Sequence, residues 1–191
     1  MLKIREEQGL RPGDIEQVIV GFLPGTDTPL ISMNPQTGLE GKFSIEYTVA
    51  AALLDGGLTL ESFTDPMVQR PAVRELMQRV QRRRIEDTKV YALDAYTDLT
   101  VVTVRGRIER RVEHTPGSPQ WPMTPADRAE KFTACVNRVL GSAGAAALLQ
   151  CAQHCESLPD IRALPAATGV GGDTVYSEAA RNAAAASGPS G

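Results

Sequence analysis

Basic residues are not in excess in this chain: 20 Lys and Arg stand against 23 Asp and Glu, for a formal charge of −3. A dedicated nucleic-acid binder shows a basic footprint, so this balance argues against that class of partner. No run approaches the ~18 apolar residues of a spanning helix, which argues against membrane insertion. The opening MLKIREEQGL is charged and short of apolar residues, unlike a signal peptide or an anchor. There are only three cysteines, Cys135, Cys151 and Cys155. An odd count without an export signal fits reduced thiols in the cytoplasm. Internal repeats, a Gly-x-Ser-x-Gly elbow, a P-loop and a dinucleotide fingerprint are all missing, so no cofactor is expected. Aromatics are sparse and alanine is heavily used. Even so, 42% hydrophobic and 23% charged residues are globular values that exclude wholesale disorder.

The 191 residues suffice for one domain with a sizeable core. A short helix over residues 1–10 ends at Gly9, closed off by Arg11-Pro12-Gly13. Ile15 to Phe22 reads as a strand with Val18, Val20 and Phe22 on one face and Ile15 and Ile19 on the other, hence covered on both. Residues 24–40 are turn chemistry. A strong helix is expected from Leu39 to Asp55, so apolar that it must be largely buried, with Gly56-Gly57 as its stop. A second helix starts at Pro71 with Val73, Leu76, Met77 and Val80 as its stripe. Three β segments follow, Lys89–Leu93, Leu99–Val104 and Arg107–Glu113, the last two flanking an Arg105-Gly106 hairpin. After a Pro-rich crossing at 116–122, Thr124 caps a helix that has Pro125 at its first position and Phe132, Cys135, Val136, Val139 and Leu140 on its apolar face. A last helix spans Ala145 to Ser157. The expected fold is α+β, a small antiparallel sheet packed with helices. The expected divisions are an α+β domain over 1–123, C-terminal helices over 124–164 and a disordered Ala/Gly/Ser tail over 165–191.

The stretch from Asn34 to Tyr47 is the most informative for chemistry. A Gly-containing loop delivers the chain into a helix N-terminus, where free N–H groups and the helix dipole attract anions. Lys42 at that positive end is locally unfavourable, and a bound carboxylate would relieve it. Tyr47 could present a phenol donor to the same cleft. In the other reading Lys42 pairs with Glu46 at i+4 and Tyr47 is core. Cys151, His154 and Cys155 share one helix but cannot complete a tetrahedral site alone, so buried thiols explain them and no metal is expected. Gln81-Arg82-Arg83-Arg84 is a basic run expected at a helix end. His114 is either an acid/base group or a solvated loop residue.

The run from Pro35 to Gly56, with Gly41-Lys42-Phe43-Ser44-Ile45-Glu46-Tyr47 at its centre, closely resembles the MmgE/PrpD family, which includes enzymes of the 2-methylcitrate dehydratase type. Phe63-Thr64-Asp65, Arg70-Pro71, the Arg105-Gly106-Arg107 hairpin and Glu130-Lys131-Phe132 agree in order, so the likeness covers residues 9–164. It implies the smaller α+β domain of a two-domain enzyme plus the final helices, which would dock on an all-helical domain not present in this sequence. It also implies cofactor-independent lyase or isomerase chemistry on a di- or tricarboxylate, as in propionate metabolism. There a base removes a proton next to a carboxylate, and donors stabilise the developing charge. Carried over by position, Lys42 and Tyr47 are the catalytic candidates, and Lys42 and Ser44 the substrate-binding ones. Gly41 stands where the family usually has Ala. The partners implied are the small-molecule acid and the missing helical domain, in cis or trans, with self-association through residues 125–158. Without the helical domain the chain is expected to be inactive. The alternative is a non-catalytic binding or oligomerisation module.

Overall fold

The structure, a computed structural model, describes residues 1–87 and 95–169. The expected strand Lys89–Leu93 lies outside the described residues, as do residues 170–191 of the expected tail. Two compact units divide the chain, Met1–Pro122 and Met123–Gly191.

The first unit opens with α1, Leu2–Gln8. Gly9 ends it at φ 57°, a left-handed conformation open to glycine, and the Leu10 amide donates back to the Arg5 carbonyl at 2.9 Å. A 3₁₀ turn at Pro12–Asp14 leads into β1, Ile15–Phe22, the bounds the sequence predicts. Its faces need a correction. A bulge between Ile15 and Gln17 inserts one extra residue against β3, Thr97–Thr103, and shifts the alternation. Ile15 thereby joins Val18 and Val20 in the core, while Ile19 on the opposite face is only half-buried.

The expected Leu39–Asp55 helix is two helices, α2 at Gly38–Lys42 and α3 at Ile45–Asp55. Ser44 interrupts them. Its backbone is extended (φ −123°, ψ 115°) and its hydroxyl accepts the Tyr47 amide at 3.2 Å, which makes it the N-cap of α3. Val49, Ala50, Ala51 and Leu53 of α3 are buried, so the all-round apolar pattern does mark a core helix. A 3₁₀ turn at Glu61–Phe63 and α4, Asp65–Val68, follow. Then comes α5 at Pro71–Met77, which packs against α3.

Here lies the second correction. Val80 begins a strand, β2 at Val80–Arg84, rather than closing the helix stripe, and the basic run sits in the sheet. β4 spans Gly106–Val112. Thr103 pairs with Gly106, which leaves Val104-Arg105 as a two-residue hairpin loop. The order is β2-β1-β3-β4, with β1 parallel to β2 and antiparallel to β3, and β3 antiparallel to β4. The fold is thus α+β on a small mixed sheet. Its core joins Val18, Val20, Val80, Leu99 and Val101 of the sheet to α1, α3 and α5. Apolar side chains withdrawn from water at about 25 cal/mol per Å² provide the main driving force for that assembly.

In the second unit Thr124 caps α6, Pro125–Gln153, in a capping box with Asp127, the start the sequence predicts. By length and composition α6 is apolar enough to cross a membrane, yet Gly141 breaks it (φ 68°, ψ 175°). Each part is then shorter than the ~20 residues a span requires. Phe132, Val136 and Leu140 are half-buried and Val139 is exposed. A 3₁₀ turn at Cys155–Ser157 precedes α7, Ala163–Ala167, which continues helix past Pro165 and into the stretch expected to be tail.

Candidate functional site

Loop 24–37 and α2 bring Lys42 to the surface on a short, well-anchored helix. Thr37 caps α2: its hydroxyl accepts the Glu40 amide at 3.3 Å, and the Glu40 carboxylate returns to the Thr37 amide at 3.2 Å. The Gly38 amide donates to Asp65 Oδ1 at 2.7 Å. The Thr37 and Gly38 amides at the start of α2 are therefore served by the chain's own carboxylates, and the Glu40 amide by the Thr37 hydroxyl. Lys42 lies in the last turn of α2, not at a helix start, and there a cation suits the dipole. The local conflict expected from the unbroken helix does not arise.

Lys42 is exposed, and its side chain makes no ion pair or hydrogen bond among the described residues. Its neighbours in sequence, Leu39 and Phe43, are 66% and 41% exposed. The Ser32 amide donates to the Phe43 carbonyl at 3.0 Å. Ile31 and Met33, on either side of Ser32 in the chain, are exposed as well. Exposed apolar residues thus lie on both segments joined at Phe43, next to Lys42 in sequence.

Ser44 and Tyr47 are both fully buried. Besides capping α3, the Ser44 hydroxyl donates to Glu46 Oε2 at 3.2 Å. Tyr47 donates its hydroxyl to the Ser62 carbonyl and meets the Phe63 ring edge-on, with centroids 6.0 Å apart. Burial pushes its phenol above the ordinary value, opposed by the nearby Arg70 cation. Arg70 is held in turn by Asp55 in a bidentate pair at 2.9 and 2.6 Å. The fold therefore brings Ser44 and Tyr47 together behind the surface and leaves Lys42 outside, so the three do not share one solvent-facing wall.

Glu46 does not pair with Lys42. It forms a bidentate pair with Arg82 at 2.6 and 2.8 Å, with side chains 8% and 16% exposed. Neither residue stands out as a site residue in the sequence. A carboxylate placed just before buried Tyr47, on a helix apolar all round, is the signal that a buried partner must exist.

His114 is exposed and lines a groove of about 640 Å³ that also includes Leu2, Lys3, Leu99, Val112 and Trp121, but none of Lys42, Ser44 and Tyr47. Among the described residues no group of His, Cys, Asp or Glu could hold a metal ion. His154 Nδ1 instead lies 2.9 Å from the Gln150 carbonyl, within its own helix.

Cis-aconitate decarboxylase of Homo sapiens is 28% identical over 162 residues, 83% of this chain and 33% of that protein. The Mus musculus cis-aconitate decarboxylase is 27% identical over 163 residues, 84% of this chain and 33% of that protein. The chain thus spans a third of the length of these relatives. The MmgE/PrpD C-terminal domain matches residues 1–157. Matched by that domain over residues 1–157 and folded as α+β on a mixed sheet, the chain belongs to the MmgE/PrpD family.

Proposed function

We propose that this chain supplies one wall of a cofactor-independent lyase or isomerase site for a di- or tricarboxylate, with Lys42 as the anion contact. The observation that carries the reading is Lys42 itself: an exposed ammonium, without a partner among the described residues, flanked by exposed Leu39 and Phe43. A base acting next to a carboxylate leaves negative charge on its oxygens, and a fixed cation lowers the barrier by stabilising that charge. The tricarboxylate in the relatives' name supports the substrate class. In this reading Ser44 and Tyr47 act from behind. Ser44 sets the start of α3, and Tyr47 ties that helix to the Ser62 turn. The proton-transferring groups come from the all-helical part, which covers the apolar surface of Ile31, Met33, Leu39 and Phe43. The isolated chain then binds but does not turn over.

Calorimetric titration with cis-aconitate, citrate and 2-methylcitrate tests this, with Lys42→Met as the control. The expected result is binding of at least one acid by the wild-type chain and none by the variant. Binding that survives Lys42→Met, or no binding of any acid, overturns the reading. The second outcome favours a non-catalytic module instead.

A further inference from the structure

One guanidinium joins three separate segments of the first unit. Arg82 donates from Nε and Nη2 to the two oxygens of Glu46, at 2.6 and 2.8 Å, and from Nη1 to the Leu30 carbonyl at 2.6 Å. Glu46 Oε2 also accepts from Ser44, the cap of α3. Two residues beyond Leu30, the Ser32 amide closes on the Phe43 carbonyl. Both sides of the segment that carries Lys42 are thereby fastened to β2. That strand is itself built into the sheet, where Arg82 stands opposite Val20 of β1.

We propose that Arg82 is a positioning residue for Lys42: its guanidinium fixes the α2–α3 turn relative to the sheet, and so fixes where the Lys42 ammonium can meet an anion. The inference rests on the reading of Lys42 as the anion contact. A lysine carries its charge on a flexible stem, so the precision of the contact has to come from the backbone beneath it. The planar guanidinium serves Leu30 and both Glu46 oxygens at once. A lysine at 82 keeps the charge but, with its donors on one nitrogen, cannot reproduce the parallel bidentate pair with Glu46 while also holding Leu30.

Two variants test it. Arg82→Lys preserves the charge, and the double variant Arg82→Met/Glu46→Met removes the ion pair without leaving a buried charge behind. Amide hydrogen exchange by NMR and titration with cis-aconitate are the readouts. In both variants the Ser32 amide should exchange at least about tenfold faster while β3 and β4 amides keep their protection, a local loosening rather than unfolding. Affinity for the acid should fall about tenfold or more, although Lys42 is untouched. A merely structural role for Arg82 would instead raise exchange across the whole unit and leave the affinity of the folded fraction unchanged, which overturns the proposal. Unchanged Ser32 exchange in both variants also overturns it. If the wild-type chain binds no acid, the Lys42 reading fails, and the exchange data alone still decide whether Arg82 holds the turn.

Discussion

A Cβ on Gly38 would stand 2.0 Å from the carbonyl oxygen of Phe63, so the first residue of α2 touches the 3₁₀ turn at 61–63 backbone to backbone. No side chain fits between them. Gly38→Ala should therefore push α2 off that turn and cost about 1–3 kcal/mol, the usual range for forced overpacking. Urea unfolding measures it, and a midpoint equal to wild type would show that α2 can move freely. Gly41 is less severe: a Cβ there would meet Val68 and the Tyr47 ring at 3.0 and 3.1 Å. Those side chains must give by a few tenths of an ångström for Gly41→Ala to be accommodated.

Tyr47→Phe removes the donor to the Ser62 carbonyl, and Ser62 is itself buried. The loss should be about 1–3 kcal/mol, the cost of an acceptor left unserved. The pH dependence follows from the raised phenol. The folded chain holds the Tyr47 proton more tightly than the unfolded chain, whose value is near 10. Its contribution is therefore complete below about pH 10 and is lost as pH rises from there through the folded value. Alkaline denaturation followed by circular dichroism should show a shallower decline for Tyr47→Phe than for wild type.

The Arg82–Glu46 pair lends itself to a double-mutant cycle. Arg82→Met alone strands a buried carboxylate and should cost about 3–5 kcal/mol. Adding Glu46→Met should recover most of that loss, since two apolar side chains of similar length replace a desolvated ion pair. Additive losses in thermal unfolding would mean that the two side chains act independently.

Gly141 holds α6 open at φ 68° and ψ 175°, a backbone region essentially confined to glycine. Nothing lies within 4 Å of where a Cβ would be, so the barrier to substitution is conformational and not steric. Gly141→Ala should relax into the helical region and join the two parts of α6. A stronger helical signal at 222 nm is expected, with an unchanged unfolding midpoint for the first unit.

Much of the architecture was legible from residue order. Gly9, Thr124 and the β1 run mark their elements because each local signal has one dominant physical cause: a left-handed stop, a capped start, a β-rich segment. The Leu39–Asp55 pattern misled for a physical reason as well. Apolar periodicity does not register that Ser44 can cap as well as continue, so the break that moves Lys42 from a helix start to a helix end was invisible. Val80 misled likewise, because it fits an i+3 or i+4 stripe from Met77 or Leu76 as well as it fits the first residue of a strand. For that same reason Arg82 is expected at a helix end and not in a strand. Its partner Glu46 lies on another element, and no spacing rule couples residues across that distance.

The position of β1 also governs how this fold can be reached. Val18 of β1 pairs with Val80 on one side and Val101 on the other, so both neighbours of the central strand arrive much later in the chain. Only β3 and β4 can pair locally, across Val104-Arg105. A hairpin of that kind closes in microseconds, whereas β1 must wait for loops of many residues to be closed on either side. During synthesis β2 emerges before β3, so one edge of β1 can be paired while the other, which takes Val101 opposite Val18, stays open until β3 arrives. Until the β3–β4 hairpin docks on it, that edge is an unpaired strand able to pair with another chain, so the long wait imposed by the strand order is a window for aggregation.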